Sequence, residues 1–163
     1  MSINKELELE QPIQDLRHET LLNIVRTVSV LSVKGEAFFR KYGITEAQFN
    51  VLFALKYKKK KWTQSELGRR LVVTRASITS ILDKLEIKGL VIRNSVKGNR
   101  RIRHVELTPE GLALIKKMEP IYRKNIHRLL SCFTDKQCSE IIKYMETIRQ
   151  QLKNIQYSIK ETD

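Results

Sequence analysis

Residues 63–85 read Thr63-Gln64-Ser65-Glu66-Leu67-Gly68-Arg69-Arg70-Leu71-Val72-Val73-Thr74-Arg75-Ala76-Ser77-Ile78-Thr79-Ser80-Ile81-Leu82-Asp83-Lys84-Leu85. Thr63 with Glu66 has the Thr-x-x-Glu form of a capping box, which opens a short helix through Leu67 to about Arg70. After Leu71-Val72-Val73, Thr74 is placed to cap a longer helix. Ile78, Ile81, Leu82 and Leu85 mark its apolar face, and Gly89 stands where a helix stop is wanted. A short helix, a tight turn and a longer helix form the helix-turn-helix pattern.

If those four apolar residues face inward, the first turns of the longer helix offer Thr74, Arg75, Ser77, Thr79 and Ser80 to a partner. These residue types suit the edges of base pairs. Arginine bonds guanine O6 and N7 bidentately, hydroxyls bond bases or phosphates, and a threonine methyl meets that of thymine.

On the C-terminal side, Leu90-Val91-Ile92-Arg93 and Ile102 to Leu107 are β-prone runs joined by the polar linker Asn94 to Arg101, and together they read as a hairpin. Its Lys97, Arg100, Arg101 and Arg103 suit phosphates and a narrow minor groove. Thr108-Pro109-Glu110 then starts a helix with threonine at the cap and proline in the first turn, ending near Phe133. Thr134 or Asp135 caps a last helix. Its Ile141, Met145, Ile148, Leu152, Ile155 and Ile159 step by four and three alternately, a heptad seam. An intramolecular core stripe would show the same spacing.

On the N-terminal side, Thr45-Glu46-Ala47-Gln48 is another capping box, opening a helix that carries Phe49, Leu52 and Phe53. Before it, a helical pattern with Leu22, Val25, Val28 and Leu31 runs from Asp15 to about Tyr42 and meets Gly43. Residues 1–14 read as a flexible acidic arm ending near Pro12, and residues 158–163 as a tail.

The charge supports a polyanionic partner. The chain of 163 residues carries a formal net charge of +13. Between Lys56 and His104 stand 15 Lys or Arg against three acids, a net of +12, while the rest of the chain nets +1. Mixed signs would serve solubility equally well, so this concentration is the electrostatic footprint of nucleic acid. It weighs against a merely solvated helix beside a charged loop.

The run Gly89-Leu90-Val91-Ile92-Arg93, with Asn99-Arg100-Arg101 and Leu107-Thr108-Pro109-Glu110-Gly111, resembles the wing signature of the MarR family of winged helix-turn-helix regulators. Val73 to Glu86 is similar to that family's recognition helix, and Ile44 to Leu52 to its second helix. The resemblance covers roughly residues 15–157. It implies a mainly α fold with a small β-hairpin wing, in which residues 45–108 form the DNA-binding domain. Residues 15–44 and 109–157 would then supply dimerisation helices, so the seam from Ile141 to Ile155 would be a subunit contact.

The resemblance further implies double-stranded DNA and a second copy of the chain as partners, a pseudo-palindromic operator, repression, and release by a small-molecule effector. Arg101 would be the wing-tip arginine, with Thr74, Arg75, Ser77 and Ser80 reading the groove. The family's wing usually carries an acid two residues before that arginine; here the position is Asn99. Phe38, Phe39, Tyr42 and Tyr122 are candidate effector linings, although such aromatics serve more often as core.

Other chemistries find little support. No phosphate-cradling glycine loop, His-Glu-x-x-His, Gly-x-Ser-x-Gly or Cys-x-x-Cys is present, so neither catalysis nor a cofactor is expected. His18, His104 and His127 are scattered over three elements, and no metal site is expected. Cys132 and Cys138 are too few for a disulfide framework and read as packing thiols without redox control. The longest apolar run, Val51 to Leu55, is far below the ~20 residues that span a bilayer. Glu6, Glu8 and Glu10 stand where an export signal would be apolar, which points to the cytoplasm. Two rivals remain: a sequence-indifferent architectural DNA-binding protein, and an enzyme that modifies small molecules in an inter-domain crevice.

Overall fold

The computed structural model describes residues 2–58, 61–96 and 99–155. Contacts divide the chain into two units, residues 1–118 and 119–163.

The first unit begins with α1 (Ile3–Glu6), one helical turn inside the stretch read as an arm. Ile3 is buried, Asn4 Oδ1 accepts from Ile13 N at 3.0 Å, and Glu6 pairs with Arg26 at 3.4 Å. The helix α2 (Leu16–Arg40) is capped by Asp15, whose side chain accepts from Arg17 N. It stops two residues before the expected Tyr42, a difference of the size that fraying and terminal turns produce. Its next neighbour α3 (Glu46–Lys56) has the reciprocal box between Thr45 and Gln48 that its sequence calls for. Phe49, Val51, Leu52 and Leu55 make α3 the buried centre of the unit.

Two short elements follow: β1 (Trp62–Thr63) and α4 (Gln64–Arg70), the latter opened by the Thr63–Glu66 box. Thr74 caps α5 (Arg75–Ile87), accepting from Ser77 N at 3.1 Å. Between them Val72 has φ +54° and is almost fully exposed. A β-branched residue in the left-handed region is strained by roughly 1–2 kcal/mol.

The hairpin β2 (Val91–Val96) and β3 (Asn99–Leu107) pairs antiparallel from Val91–Leu107 to Ser95–Arg103, with an irregularity between Ser95 and Val96. Strand β1 adds to the other edge of β3, Trp62 against Val105 and Thr63 against His104, giving the order β1-β3-β2. Ile78, Leu82 and Leu85 of α5 are buried with Leu67, Val91 and Val105 in the same core, and Ile81 is half-buried.

Helix α6 (Pro109–Leu129) begins at the expected Pro109 and ends four residues before the expected Phe133. Its Ile115 and Met118 are buried. The second unit comprises the remainder of α6 and α7 (Asp135–Asn154), which is opened by a box between Thr134 and Gln137. No residue of α7 is buried in the single chain.

Candidate nucleic-acid interface

The exposed face of α5 presents Arg75, Ala76, Ser80 and Lys84 along a shallow open depression that also touches Thr79 and Asp83. The Thr74 and Ser77 hydroxyls lie 2.8 Å apart at the helix start, so the cap holds Ser77 in place. Both residues are exposed.

Thr79 has a different employment from its neighbours. Its hydroxyl donates to Arg75 O at 2.8 Å and accepts from Gln64 Nε2 at 2.5 Å. It therefore joins α4 to α5 and leaves its methyl, not its hydroxyl, for a partner. Gly68 makes the same junction tight, since a Cβ there would stand 3.1 Å from Ile78 Cγ2.

A second, deeper cleft lies between the start of α4, the start of α5 and β3. Gln64, Ser65, Arg69, Arg75 and Arg103 line it. Three guanidinium-bearing residues on three elements thus converge where two hydroxyl or amide groups are also present, a phosphate-binding chemistry. Arg70 next door stacks on Trp62, 4.6 Å from the ring centroid. Sequence reading identified Arg75 and Arg103 but missed Gln64, Ser65 and Arg69. Their only advance signal was membership of the basic segment.

The wing is fixed at its base by a contact that sequence reading also missed. Arg93 of β2 is largely buried and bonds Asp83 at 2.6 Å and Glu86 at 2.5 and 3.0 Å, both on α5. Glu86 also accepts from Arg93 N at 3.2 Å. These carboxylates hold the Arg93 guanidinium above its ordinary pKa, with the Glu86 hydrogen bond the largest cause.

Along the other edge of the sheet, Lys61 pairs with Glu106 at 2.7 Å and Lys58 Nζ donates to Val105 O at 2.8 Å. Lys61 holds the Glu106 carboxyl below its ordinary range, and burial pushes Lys58 down. Arg100 and Arg101 stand on β3, Arg103 is exposed, and Lys97 lies outside the described residues.

Arg93→Ala is expected to cost about 2 kcal/mol, because it leaves two carboxylates without their shared partner. Urea denaturation would read this as a lower midpoint. Lysine at this position should recover only part of the loss, since it lacks the planar fork. An unchanged midpoint for the alanine variant would show that the wing is held by packing alone.

Of the candidate effector linings, Phe39 is buried, with ring centroids 5.2 Å from both Phe38 and Phe49. Phe38 in turn meets Tyr42 at 5.4 Å. This aromatic row packs α2 against α3, so Phe39 serves the core. Tyr122 belongs to the second unit and is half-buried. On α7, Ile141, Ile148 and Leu152 are exposed and Met145 is half-buried, with Ile155 exposed at the C-terminal cap.

Comparison with known proteins agrees with this geometry. The family model described as the MarR family matches residues 42–102, from just after α2 into the start of β3. That match takes in the helix-turn-helix and much of the hairpin. It is similar to the HTH-type transcriptional regulator PecS of Dickeya dadantii (strain 3937), 26% identical over 148 residues that cover 89% of each chain.

Among solved structures, AbsC, a MarR family transcriptional regulator from Streptomyces coelicolor, superposes with a TM-score of 0.79 at 18% identity. That match covers 89% of this chain and 99% of that one. The S. aureus MepR–DNA complex gives 0.73 at 20% identity, covering 79% and 96%. In the winged helix-turn-helix fold shared with these structures, α4 and α5 correspond to the helix-turn-helix, and β2 and β3 to the wing.

Proposed function

We propose that this chain is a sequence-specific, double-stranded DNA-binding transcription regulator that acts as a homodimeric repressor and is released by a small-molecule effector. The observation that carries the DNA-binding reading is the convergence of Arg69, Arg75 and Arg103 beside the exposed Thr74, Ser77 and Ser80 of α5. Guanidinium groups flanking a helix of small polar residues can hold phosphates while that helix reads base edges. PecS, named as a transcriptional regulator, and MepR, solved with DNA, support the same role. Among the described residues no helix is long and apolar enough to cross a membrane, and no cluster of three or more metal-ligating side chains occurs. A non-enzymatic regulator working in the cytoplasm accounts for the chain without further chemistry.

Binding to a site selected from randomised duplexes should exceed binding to unrelated DNA by more than ~10³ at physiological salt. Arg75→Ala should change which bases the selection returns, because base contacts discriminate by ~1–3 kcal/mol each. A ratio near one would identify an architectural protein. An unchanged base preference would mean that α5 touches only backbone.

The dimer reading rests on the exposed apolar side chains of Ile141, Ile148 and Leu152 of α7 and of Ile155 at its C-terminal cap, on one heptad seam, and on those of α2, among them Leu21, Val25 and Val28. Surface of this kind on one chain calls for a partner. Leu152→Glu would bury an unpaired charge in that seam and should give monomer by light scattering. A native-sized dimer would place the seam on the outer surface.

A further inference from the structure

The ends of α2, α4 and α5 share one hydrogen-bonded cap. After α2, Gly43 N donates to Arg40 O at 2.9 Å and Ile44 N to Phe39 O at 3.3 Å. After α5, Gly89 N donates to Glu86 O at 2.9 Å and Leu90 N to Leu85 O at 3.0 Å. After α4, Val72 N donates to Arg69 O at 3.3 Å and Val73 N to Gly68 O at 3.0 Å. This is the Schellman arrangement, in which the residue of positive φ is usually glycine. Gly43 and Gly89 follow that preference at φ +67° and +66°, whereas α4 places Val72 there at φ +54°. The single turn α1 closes in the same way on Glu8, at φ +52°. Among the described residues, Val72 is thus the one β-branched side chain on a backbone of positive φ.

Glycine would serve this cap better, because it lacks the Cβ that makes a left-handed backbone costly. Burial does not offset the strain: Val72 is 90% exposed and removes almost no apolar surface from water. A strained residue with no return inside the fold points to a use outside it. Its surroundings say which. Val72 stands between Arg69, which lines the cleft beside α5, and Thr74, the cap of α5. At most about 7 Å of chain separates it from that cap. The surface on either side carries guanidinium and hydroxyl groups suited to a duplex. The apolar group that a duplex offers to a side chain in its major groove is the thymine methyl.

We propose that Val72 is a specificity-determining residue whose methyl groups pack on the C5-methyl of a thymine at the margin of the site read by α5. The proposal rests on the DNA-binding reading and adds to it an apolar contact from the turn ahead of the reading helix. It accounts for a cap that keeps valine where glycine would suit the backbone.

The test uses the full-length protein and an operator selected from randomised duplexes. Copies of that operator carry deoxyuridine, which lacks only the methyl, in place of each thymine in turn. Val72→Gly should melt about 2–4 °C higher than the unaltered protein, because it relieves the cap. At one thymine of each half-site, deoxyuridine should weaken the unaltered protein about fourfold and leave the affinity of Val72→Gly unchanged. A selection repeated with Val72→Gly should lose its preference for thymine at that position. Val72→Asn also suits the left-handed backbone without the freedom of glycine, so the same result from it separates lost methyls from a loosened turn. If the unaltered protein selects a site but no thymine shows this coupling, Val72 does not read DNA and the regulator reading stands. If the unaltered protein selects no site, both readings fail.

Discussion

Gly111→Ala is expected to unfold the first unit or lower its stability by about 3 kcal/mol or more. A Cβ built on Gly111 would stand 2.0 Å from Leu90 O and 3.0 Å from Leu90 C, both backbone atoms that no side-chain rotation can move. The same carbonyl accepts from Thr108 N at 3.2 Å, while Thr108 Oγ1 donates to Gly89 O at 2.6 Å and accepts from Gly111 N at 3.0 Å. Relieving the clash would pull the start of α6 from the start of β2 and break this network. Overpacking usually costs 1–3 kcal/mol where side chains can adjust. Here they cannot, and a domain has only about 5–15 kcal/mol in total. Gly35→Ala is the control. It lies inside α2, its Cβ would make an ordinary contact 3.6 Å from Phe39, and it should gain up to ~1 kcal/mol of helix propensity. Thermal melts of the two variants should move in opposite directions. Equal midpoints would mean that α6 and β2 are not as closely seated as described.

Raising salt from about 50 to about 200 mM should weaken operator binding by about 10³-fold or more. Each phosphate neutralised releases counterions with a log–log slope of about 0.9, and six or more contacts give that loss. Arg69, Arg75 and Arg103 supply candidates from the cleft, the wing adds Arg100 and Arg101, and a second protomer would double the set. Fluorescence anisotropy on a labelled operator would measure the slope. Arg101→Ala should lower its magnitude by about two, one contact from each protomer of the dimer, whereas Lys116→Ala, outside the basic segment, should leave it unchanged. A slope near one for the unaltered protein would turn the basic face away from DNA.

The helices were legible because their signals are local. Thr45, Thr63, Thr74 and Thr134 each act within four residues of themselves, and each caps the helix it was read to cap. Strand β1 was not legible. Two residues, Trp62 and Thr63, show no periodicity, and the strand exists only because Val105 and His104 lie beside it from more than forty positions away. The turn at α1 was missed for a related reason, since its Asn4 and Glu6 find partners in Ile13 and Arg26 rather than in their own turn.

On the surface proposed to meet DNA, sequence reading placed Arg75 and Ser77 on an exposed helix face, as they are, but did not foresee the contacts of Arg93 and Thr79. Arg93 sits in a β-prone run and looks like one more basic residue until Asp83 and Glu86 are brought to it. Thr79 shares an outward-facing register with Ser80, and only the position of Gln64 reveals that its hydroxyl points into the α4–α5 junction. The seam on α7 was visible as a pattern, but spacing alone does not say whether its partner is the same chain or another.

The engagement of Thr79 with both Gln64 and the backbone of α5 also bears on how such a regulator can diverge. Along one helix, positions proposed to carry recognition alternate with a position that carries architecture. After gene duplication, Arg75, Ala76 and Ser80 could drift toward a new operator while the scaffold stays intact. A change at Thr79 would alter the angle between two helices and the reading face together, and so demand compensation at Gln64. The helix therefore divides its own sequence into letters that can be respelled singly and one that must be respelled in pairs.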